Sequence, residues 1–356
     1  MFTEKHYLDR ISGKQLDTYL DKGWYRMGQA VFTCRFLIFN GVLFTSIWIR
    51  LSLKNYVFSK RKRKRMNQLN ARFRTIIRPF EVTAEKEKLY RIYREQFPAK
   101  IAPSLASALL DDTENNIFNT QEIAIYDGDK LIAFSTFDLG EKSIASILGV
   151  YHPDYAKFSL GVYTMLLEVQ YGQKNGYDLF YPGYVVPGYS KFDYKLQIGE
   201  VDYYDELTSK WNPFTNLDLD NLAPQEIEKA LVAFGQKLQE IGLKSHIYLY
   251  PPYEANLLGY WILDYLDYPL ILEVQNGQAD MSLILCYDHR SKRYHLYQCT
   301  VYDNLDDFFR PFMKIDKPQF PLKFELLIKE KVLLKTHSEA EIILAIQEFI
   351  ANSDQH

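Results

Sequence analysis

Five consecutive segments in the middle of the chain restrict its fold more than any other feature. Three runs rich in β-branched and aromatic residues come first, EIAIYDG, KLIAFSTFDLG and SIASILGVYH, with Asp127-Gly128 as a hairpin turn between the first two. A helical segment, Ser159 to Asn175, and a further strand, Asp178 to Val186, follow. Three successive strands that lead into a crossover helix do not suit a Rossmann or sandwich scheme. The order predicts an α+β fold with a mixed sheet flanked by helices.

A second apolar stretch, Ala30 to Leu53, is long enough to raise the question of a membrane span. Arg35 and Arg50 lie inside it, and Asn40-Gly41 separates two apolar runs. Asn-Gly is typical of a type I′ turn, because both residues tolerate a positive φ. We therefore predict a buried β-hairpin here and no transmembrane helix. The polar start of the chain, MFTEKHYLDR, gives no indication of a signal peptide.

Composition adds a few limits. Hydrophobic residues make up 47% of the chain and charged residues 24%, which is ordinary for a globular protein. Aromatic residues make up 15% of the chain, which is an excess. Most of them suit strands and half-buried surfaces, and the alternative for a few is base stacking or contact with a ligand. Cys34, Cys286 and Cys299 are too far apart for a CxxC pair, so they predict neither a zinc site nor a disulfide framework. A reducing cytosol is the simplest compartment for them.

Candidate functional residues lie on both sides of the predicted helix. Tyr151 to Tyr155 precede it, and Ser159-Leu160-Gly161 open it, where N–H groups can bind a phosphate or a carbonyl oxygen. A serine at this position also caps a helix without any ligand. After the last strand come Gly183-Tyr184, Lys191 and Tyr194-Lys195, whose lysines and tyrosines form a rim suited to a carboxylate. The alternative there is a solvated loop with half-buried tyrosines.

A dense basic run is the third candidate. It consists of Lys60, Arg61, Lys62, Arg63, Lys64 and Arg65, on a chain whose net charge is -3. Such a run binds a phosphate backbone, or it forms a solvated face or a flexible arm.

Together these patterns resemble the aminoacyl-tRNA protein transferases, the arginyltransferase and its leucyl-transferring bacterial relative. The run from Gly183-Tyr184 through Lys191 to Tyr194-Lys195 keeps the spacing of a family signature, with Phe192 in place of a methionine. Gly23 to Gly28, GWYRMG, matches a motif of the family's N-terminal domain. The clustered family cysteines, thought to hold a metal or iron–sulfur centre, are reduced to Cys34. One thiol cannot complete a tetrahedral site, so we expect neither a metal nor another cofactor.

The resemblance implies a GNAT-like transferase core over residues 80–210, after a small β-rich domain at 1–79 and before an aromatic-rich extension at 211–356. It implies a cytoplasmic monomer that moves an amino acid, arginine by family precedent, from charged tRNA to a protein beginning with Asp or Glu, as in the N-degron pathway. The implied catalytic residues are Tyr184 and Tyr194. The implied substrate-binding residues are Lys191, Lys195, Ser159, Leu160, Gly161 and Tyr151, and the Lys60–Arg65 run binds tRNA.

The sequence leaves several alternatives open. It does not decide between arginine and leucine as the transferred residue. An acyl-CoA N-acyltransferase of the same fold is a second enzyme hypothesis, although Gly161 is the one glycine offered for a coenzyme loop. A catalytically inactive homologue that binds acidic N-termini or RNA is a third.

Overall fold

The computed structural model describes residues 2–96, 101–259, 263–275, 281–310 and 317–353. Contacts divide the chain into two compact units. Unit 1 consists of Met1–Glu4, Cys34–Ser46 and Asp218–His356, and unit 2 of Lys5–Thr33 and Ile47–Leu217. The domain boundaries expected after residues 79 and 210 stay a prediction.

The described residues form the following elements. The strands are β1 Thr3–Tyr7, β2 Tyr25–Met27, β3 Ala30–Cys34, β4 Phe36–Phe39, β5 Val42–Thr45, β6 Ile47–Ser52, β7 Arg74–Pro79, β8 Thr120–Asp127, β9 Lys130–Leu139, β10 Ser143–Tyr151, β11 Leu179–Val185, β12 Asp202–Asp205, β13 Lys210–Pro213, β14 Ser245–Leu249, β15 Leu270–Val274, β16 Ser282–Asp288, β17 Arg293–Asn304 and β18 Glu325–Thr336. The helices are α1 Gly13–Asp21, α2 Lys60–Arg72, α3 Ala84–Gln96, α4 Leu105–Leu110, α5 Leu160–Lys174, α6 Ala223–Glu240, α7 Asp306–Phe309 and α8 Glu339–Ser353.

Unit 2 is built on an eight-stranded sheet in the order β13-β12-β6-β11-β10-β9-β8-β7. Its one parallel pair among the described strands, β10 with β11, is joined by the crossover helix α5. The other pairs are antiparallel. The predicted strand–strand–strand–helix–strand order and the α+β class are therefore confirmed.

Helix α5 lies in the interior of unit 2 because most of its side chains are apolar. It packs against β9, β10 and β11, and it ends before Gly176, whose φ of +76° favours glycine. Its apolar side chains share one core with the central strands. That core includes Leu160, Tyr163, Leu166, Val169, Ile123, Ile132, Phe137, Ile144 and Phe180. One charged side chain, Glu168, is buried in the same helix.

Unit 1 contains a five-stranded antiparallel sheet in the order β14-β15-β16-β17-β18, with α6 and α8 packed against it. The β4–β5 hairpin belongs to the same unit. Its turn has φ of 52° at Asn40 and 73° at Gly41, so the predicted hairpin is confirmed over β4 and β5. Most of its side chains are half-buried and not buried as predicted, and the flanking strands β3 and β6 belong to other sheets. Within the described ranges, no helix combines the length and apolar character that crossing a membrane requires.

Candidate active site

The sheet of unit 2 opens between its two parallel strands. β10 and β11 are paired through Ser143–Ala145 and Leu179–Tyr181, and both strands become irregular beyond that point. The hydroxyl of Tyr25 lies at the start of the opening, within hydrogen-bond distance of the carbonyl oxygens of Ser146 and Tyr181. It donates to one of these oxygens at a time. The tyrosine thus bridges the two strands where the ladder between them ends.

The GWYRMG motif positions this tyrosine. The next residue, Arg26, is buried and forms an ion pair with Asp138 at 2.9 Å. It also donates to the hydroxyl of Thr120 at 2.9 Å and to the carbonyl of Gly28 at 2.8 Å. A buried guanidinium with this many acceptors fixes the backbone of β2. The motif therefore has a structural reason to keep its arginine.

A carboxylate and several phenols meet beside the opening. Glu168 of α5 is fully buried, and neither carboxylate oxygen has a hydrogen-bond partner of good geometry among the described residues. Burial raises the pKa of Glu168 to about 7, although the hydroxyls of Ser135 and Ser146 lower it in part. The charge of Glu168 in turn helps to raise the pKa values of Tyr25 and Tyr194, after burial itself.

Tyr194 and Tyr151 are brought together in this cluster. The pKa of Tyr194 is raised to about 12 by burial and then by Glu168 and Tyr151, although the residue is 40% exposed. The ring of Tyr151 contacts that of Tyr93 at 5.5 Å between centroids. Burial raises the pKa of Tyr93, with Tyr194 and Tyr151 as further causes. The Tyr93 and Tyr194 phenols therefore stay protonated at neutral pH and are hydrogen-bond donors.

Lys195 and Tyr184 form a second group at the end of β11. The Lys195 ammonium donates to the Tyr184 carbonyl at 2.9 Å and lies 5.1 Å from the Tyr184 ring centroid. No carboxylate of the described residues lies within ion-pair distance of it. Burial lowers its pKa to about 7. The Tyr184 ring packs edge-on against Trp48 at 5.1 Å, which fixes the carbonyl that holds the lysine.

Gly183 joins the two groups. Its φ is +94°, and a Cβ built on it would lie 3.1 Å from Lys195 Nζ and 3.8 Å from Tyr25 Cζ. The Lys195 ammonium and the Tyr25 phenol therefore lie close to the Gly183 backbone, on the side where any other residue would have its Cβ.

Lys191 does not share this environment. It is exposed on the 3-10 helix Ser190–Ile198, with its ammonium 5.3 Å from the Tyr189 ring centroid. The two predicted lysines thus differ, since Lys195 lies in the opening and Lys191 on the surface.

The N-terminus of α5 is accessible to a ligand through its backbone. Ser159 is the N-cap residue with φ 46°, but its hydroxyl makes no capping hydrogen bond. The prediction of a side-chain cap is therefore wrong. The Leu160 side chain is fully buried and can contribute only its N–H group. At Gly161 no atom lies within 4 Å of a built Cβ, so its surroundings are open. The first N–H groups of a helix have no internal partner and attract anions.

A cationic groove of about 390 Å³ lies next to this helix start. It is lined by Arg61, Lys64, Arg65, Gln68, Leu69, Lys157 and Phe158. Arg65 donates to the Phe158 carbonyl at 2.9 Å, which ties α2 to the segment before α5. Half of the predicted basic run therefore lines one groove with Lys157 and Phe158, which precede the predicted phosphate-binding turn in the chain.

The rest of the basic run points elsewhere. Lys62 donates to the Ile198 carbonyl at 2.7 Å, and burial lowers its pKa. Lys60 and Arg63 are exposed and do not line the groove. The run is the start of α2, capped by the Ser59 hydroxyl, and not a flexible arm.

Cys34 does not fit the family's metal centre. It is buried, its thiol contacts the Ser46 hydroxyl at 3.8 Å, and burial raises its pKa to about 12. Metal binding requires the thiolate, which this environment disfavours. Across the described part of the chain, no three His, Cys, Asp or Glu side chains are arranged to hold a metal ion.

Comparison with known proteins shows what this region is similar to. Residues 85–205 match the family described as "Arginine-tRNA-protein transferase, C terminus". An aspartate/glutamate leucyltransferase of Leptospira interrogans is 28% identical over 192 residues, which cover 52% of this chain and 73% of that protein. Another, from Campylobacter jejuni, is 26% identical over 201 residues, covering 54% and 80%. The chain is therefore similar to aminoacyl-tRNA protein transferases over this region.

A solved structure of L-PGS from Bacillus licheniformis is also similar, with a TM-score of 0.30 and 14% identity. The similarity covers 48% of this chain and 49% of that chain, and it is too low to bear on the fold.

No functional role was predicted from the sequence for Glu168, Tyr25 or Tyr93. A signal for Glu168 was present, because one acid interrupts the apolar run TMLLEV of α5. An unpaired acid in a core-facing helix is costly and points to function. Tyr25 and Tyr93 had no comparable signal, since their partners lie on strands distant in sequence.

Proposed function

We propose that this protein transfers an aminoacyl group from charged tRNA to the α-amine of a protein that begins with Asp or Glu. The reaction is aminolysis of an activated ester, so the enzyme has to align the reactants and stabilise charge. The observation that carries the proposal is the Lys195 ammonium, which is half-buried at the opening and has no carboxylate partner among the described residues. An acidic side chain of the acceptor supplies the missing partner.

The other groups then take complementary roles. The Tyr194 phenol, protonated at neutral pH, donates to the ester carbonyl as negative charge develops on it. Tyr184 positions Lys195 through its carbonyl, and Tyr151 lines the same cluster. This core, with a parallel pair that opens next to a helix N-terminus, supports a GNAT-like architecture.

We propose leucine as the transferred residue in place of the arginine expected from the sequence. Both relatives described above are named as leucyltransferases.

The groove at the start of α5 binds phosphate groups of the tRNA in this proposal. Its cations are Arg61, Lys64, Arg65 and Lys157, beside the open backbone at Gly161. Changing Arg61, Lys64 and Lys157 to Ala should weaken tRNA binding and reduce the salt slope by roughly 0.7 to 0.9 per lost contact. The matched control changes Lys60 and Arg63, which lie on the same helix outside the groove. Equal effects of the two variants would reassign the groove cations to a general surface charge.

The decisive experiment offers mixed leucyl- and arginyl-tRNA with peptides that begin with Asp, Glu or Ala, and reads the products by mass spectrometry. We expect leucine on the Asp and Glu peptides only. Lys195→Met should lower transfer to the Asp peptide by about tenfold to a hundredfold, because a charge-assisted hydrogen bond contributes roughly 1.5 to 3 kcal/mol.

Lys191→Met provides the comparison, since it removes the same charge four residues away on the surface. A larger loss with Lys191→Met than with Lys195→Met would place the acceptor pocket elsewhere. Acyl transfer from coenzyme A, or tRNA binding without any transfer, would replace the proposal with one of the two rival functions.

A further inference from the structure

Glu168 stands apart from the other buried carboxylates of unit 2. Asp138 is paired with Arg26, and Glu122 is paired with both Lys86 and Arg78. Glu168 is equally buried, yet no cation of the described residues pairs with it. Neither of its oxygens has a hydrogen bond of good geometry, although the Ser135 and Ser146 hydroxyls are near enough to lower its pKa. A buried carboxylate without a partner is costly, so the fold retains here a group that its own stability disfavours.

The surroundings of Glu168 define what could pair with it. The titratable groups that face it are the phenols of Tyr25 and Tyr194, with Asp138 and Tyr151 next to them. The phenols are neutral, and Asp138 is held by Arg26. The missing partner is therefore a cation that enters from outside the chain.

Two groups of opposite charge that lack an ion-pair partner among the described residues lie near Tyr25. The Lys195 ammonium and the Tyr25 ring are both within 4 Å of one point beside Gly183, and Glu168 is close enough to Tyr25 to raise its pKa. Glu168 and Lys195 do not pair with each other. A ligand that carries an ammonium and a carboxylate on neighbouring carbons would pair with both.

We propose that Glu168 binds the α-ammonium of the acidic acceptor and takes its proton before the amine attacks the ester. The inference rests on the proposed function and adds a second contact to that of Lys195. An unblocked N-terminal Asp or Glu has both charges that the site lacks. The aminoacyl group of the donor has an ammonium but no free carboxylate, so it matches the site less well.

The proton balance of the step is complete. One proton passes from the α-ammonium to the Glu168 carboxylate, and the neutral amine forms a C–N bond to the ester carbonyl carbon. The C–O bond to the ribose then breaks, and the departing ribose oxygen receives the second proton of the attacking nitrogen. Glu168 releases its proton to solvent when the product leaves. No oxidant, metal or further reactant is required.

The pKa values of the two groups suit this exchange. Burial raises that of Glu168 to about 7, close to the value of about 7.7 to 8 for an α-amine. Proton transfer between groups of similar pKa is efficient near neutral pH.

The test compares the wild-type protein with Glu168→Gln, which has nearly the same shape. At roughly pH 7, where about a tenth of an α-amine is neutral and the Glu168 carboxyl is about half ionised, the variant should lose about fivefold to tenfold in kcat/KM with an Asp peptide. The loss should shrink above about pH 8, because the free amine is then neutral without help. Glu168→Asp should retain part of the activity at the lower pH.

A second acceptor separates proton removal from simple binding. An aminooxy analogue of the Asp peptide has a nucleophilic nitrogen that is already unprotonated at neutral pH. It should react with Glu168→Gln at nearly the wild-type rate. Glu254→Gln is the control, because burial raises the pKa of this unit 1 carboxyl to about 7 as well, and its transfer should be unchanged.

The outcomes are distinguishable. No transfer by the wild-type protein would overturn the proposed function itself. Transfer by the wild-type protein together with an unchanged pH profile in Glu168→Gln, or an equal loss with both acceptors, would overturn the role of Glu168 alone.

Discussion

Replacing Glu168 by Gln should stabilise unit 2 while it impairs transfer. Burial raises the pKa of the carboxyl from 4.5 to about 7 in the folded protein. Each unit of such a shift corresponds to 1.36 kcal/mol, so ionisation of this group costs about 3 kcal/mol of folding free energy. Because the folded pKa is the higher one, the folded state binds more protons between pH 4.5 and 7. Wild-type stability is therefore lost as the pH rises through that window.

The glutamine variant lacks this titration. Below about pH 4.5, the free energies of unfolding of the variant and the wild-type protein should differ by a constant amount. Above about pH 7, that difference should have grown in favour of the variant by up to about 3 kcal/mol. Urea unfolding at several pH values measures the difference. Tryptophan fluorescence reports mainly on unit 2, since Trp24, Trp48 and Trp211 lie there and Trp261 lies outside the described residues. A difference that does not change with pH would refute the assignment of a strained, ionised carboxylate.

Two further predictions concern the groups that shape the opening. Gly183→Ala should destabilise the protein by about 1 to 3 kcal/mol, because a φ of +94° disfavours other residues and the added Cβ displaces Lys195 Nζ. Urea unfolding measures this loss, and the control is Gly149→Ala, whose added Cβ would meet no atom within 4 Å. Equal stability of the two variants would contradict the prediction. Arg26→Met should cost about 3 to 5 kcal/mol by leaving Asp138 buried and unpaired. Adding Asp138→Asn should recover part of that loss in thermal unfolding, and a loss that the second change does not reduce would contradict the ion-pair explanation.

The central elements were predictable because their signals are local. Asn40-Gly41 specifies a type I′ turn through its own backbone preferences, and the apolar spacing of α5 identifies a buried helix whatever surrounds it. The prediction that Tyr194 and Lys195 are site residues has the same basis, because the family signature lies within one short segment of the sequence.

The tertiary structure decided which of these residues act together. Lys191 and Lys195 look alike in sequence, but one turn of a 3-10 helix puts the first on the surface and the second against the Tyr184 carbonyl. The basic run likewise divides between a groove and a helix face, because a helix distributes consecutive residues around its axis.

Glu168 shows the same limit most clearly. The sequence determined that an acid would lie in an apolar helix, but not whether a cation would come from another strand to neutralise it, as Arg26 does for Asp138. That depends on contacts between residues more than a hundred positions apart in the chain. The chemistry of the site follows from the absence of such a partner within the described residues, and only the folded arrangement reveals it.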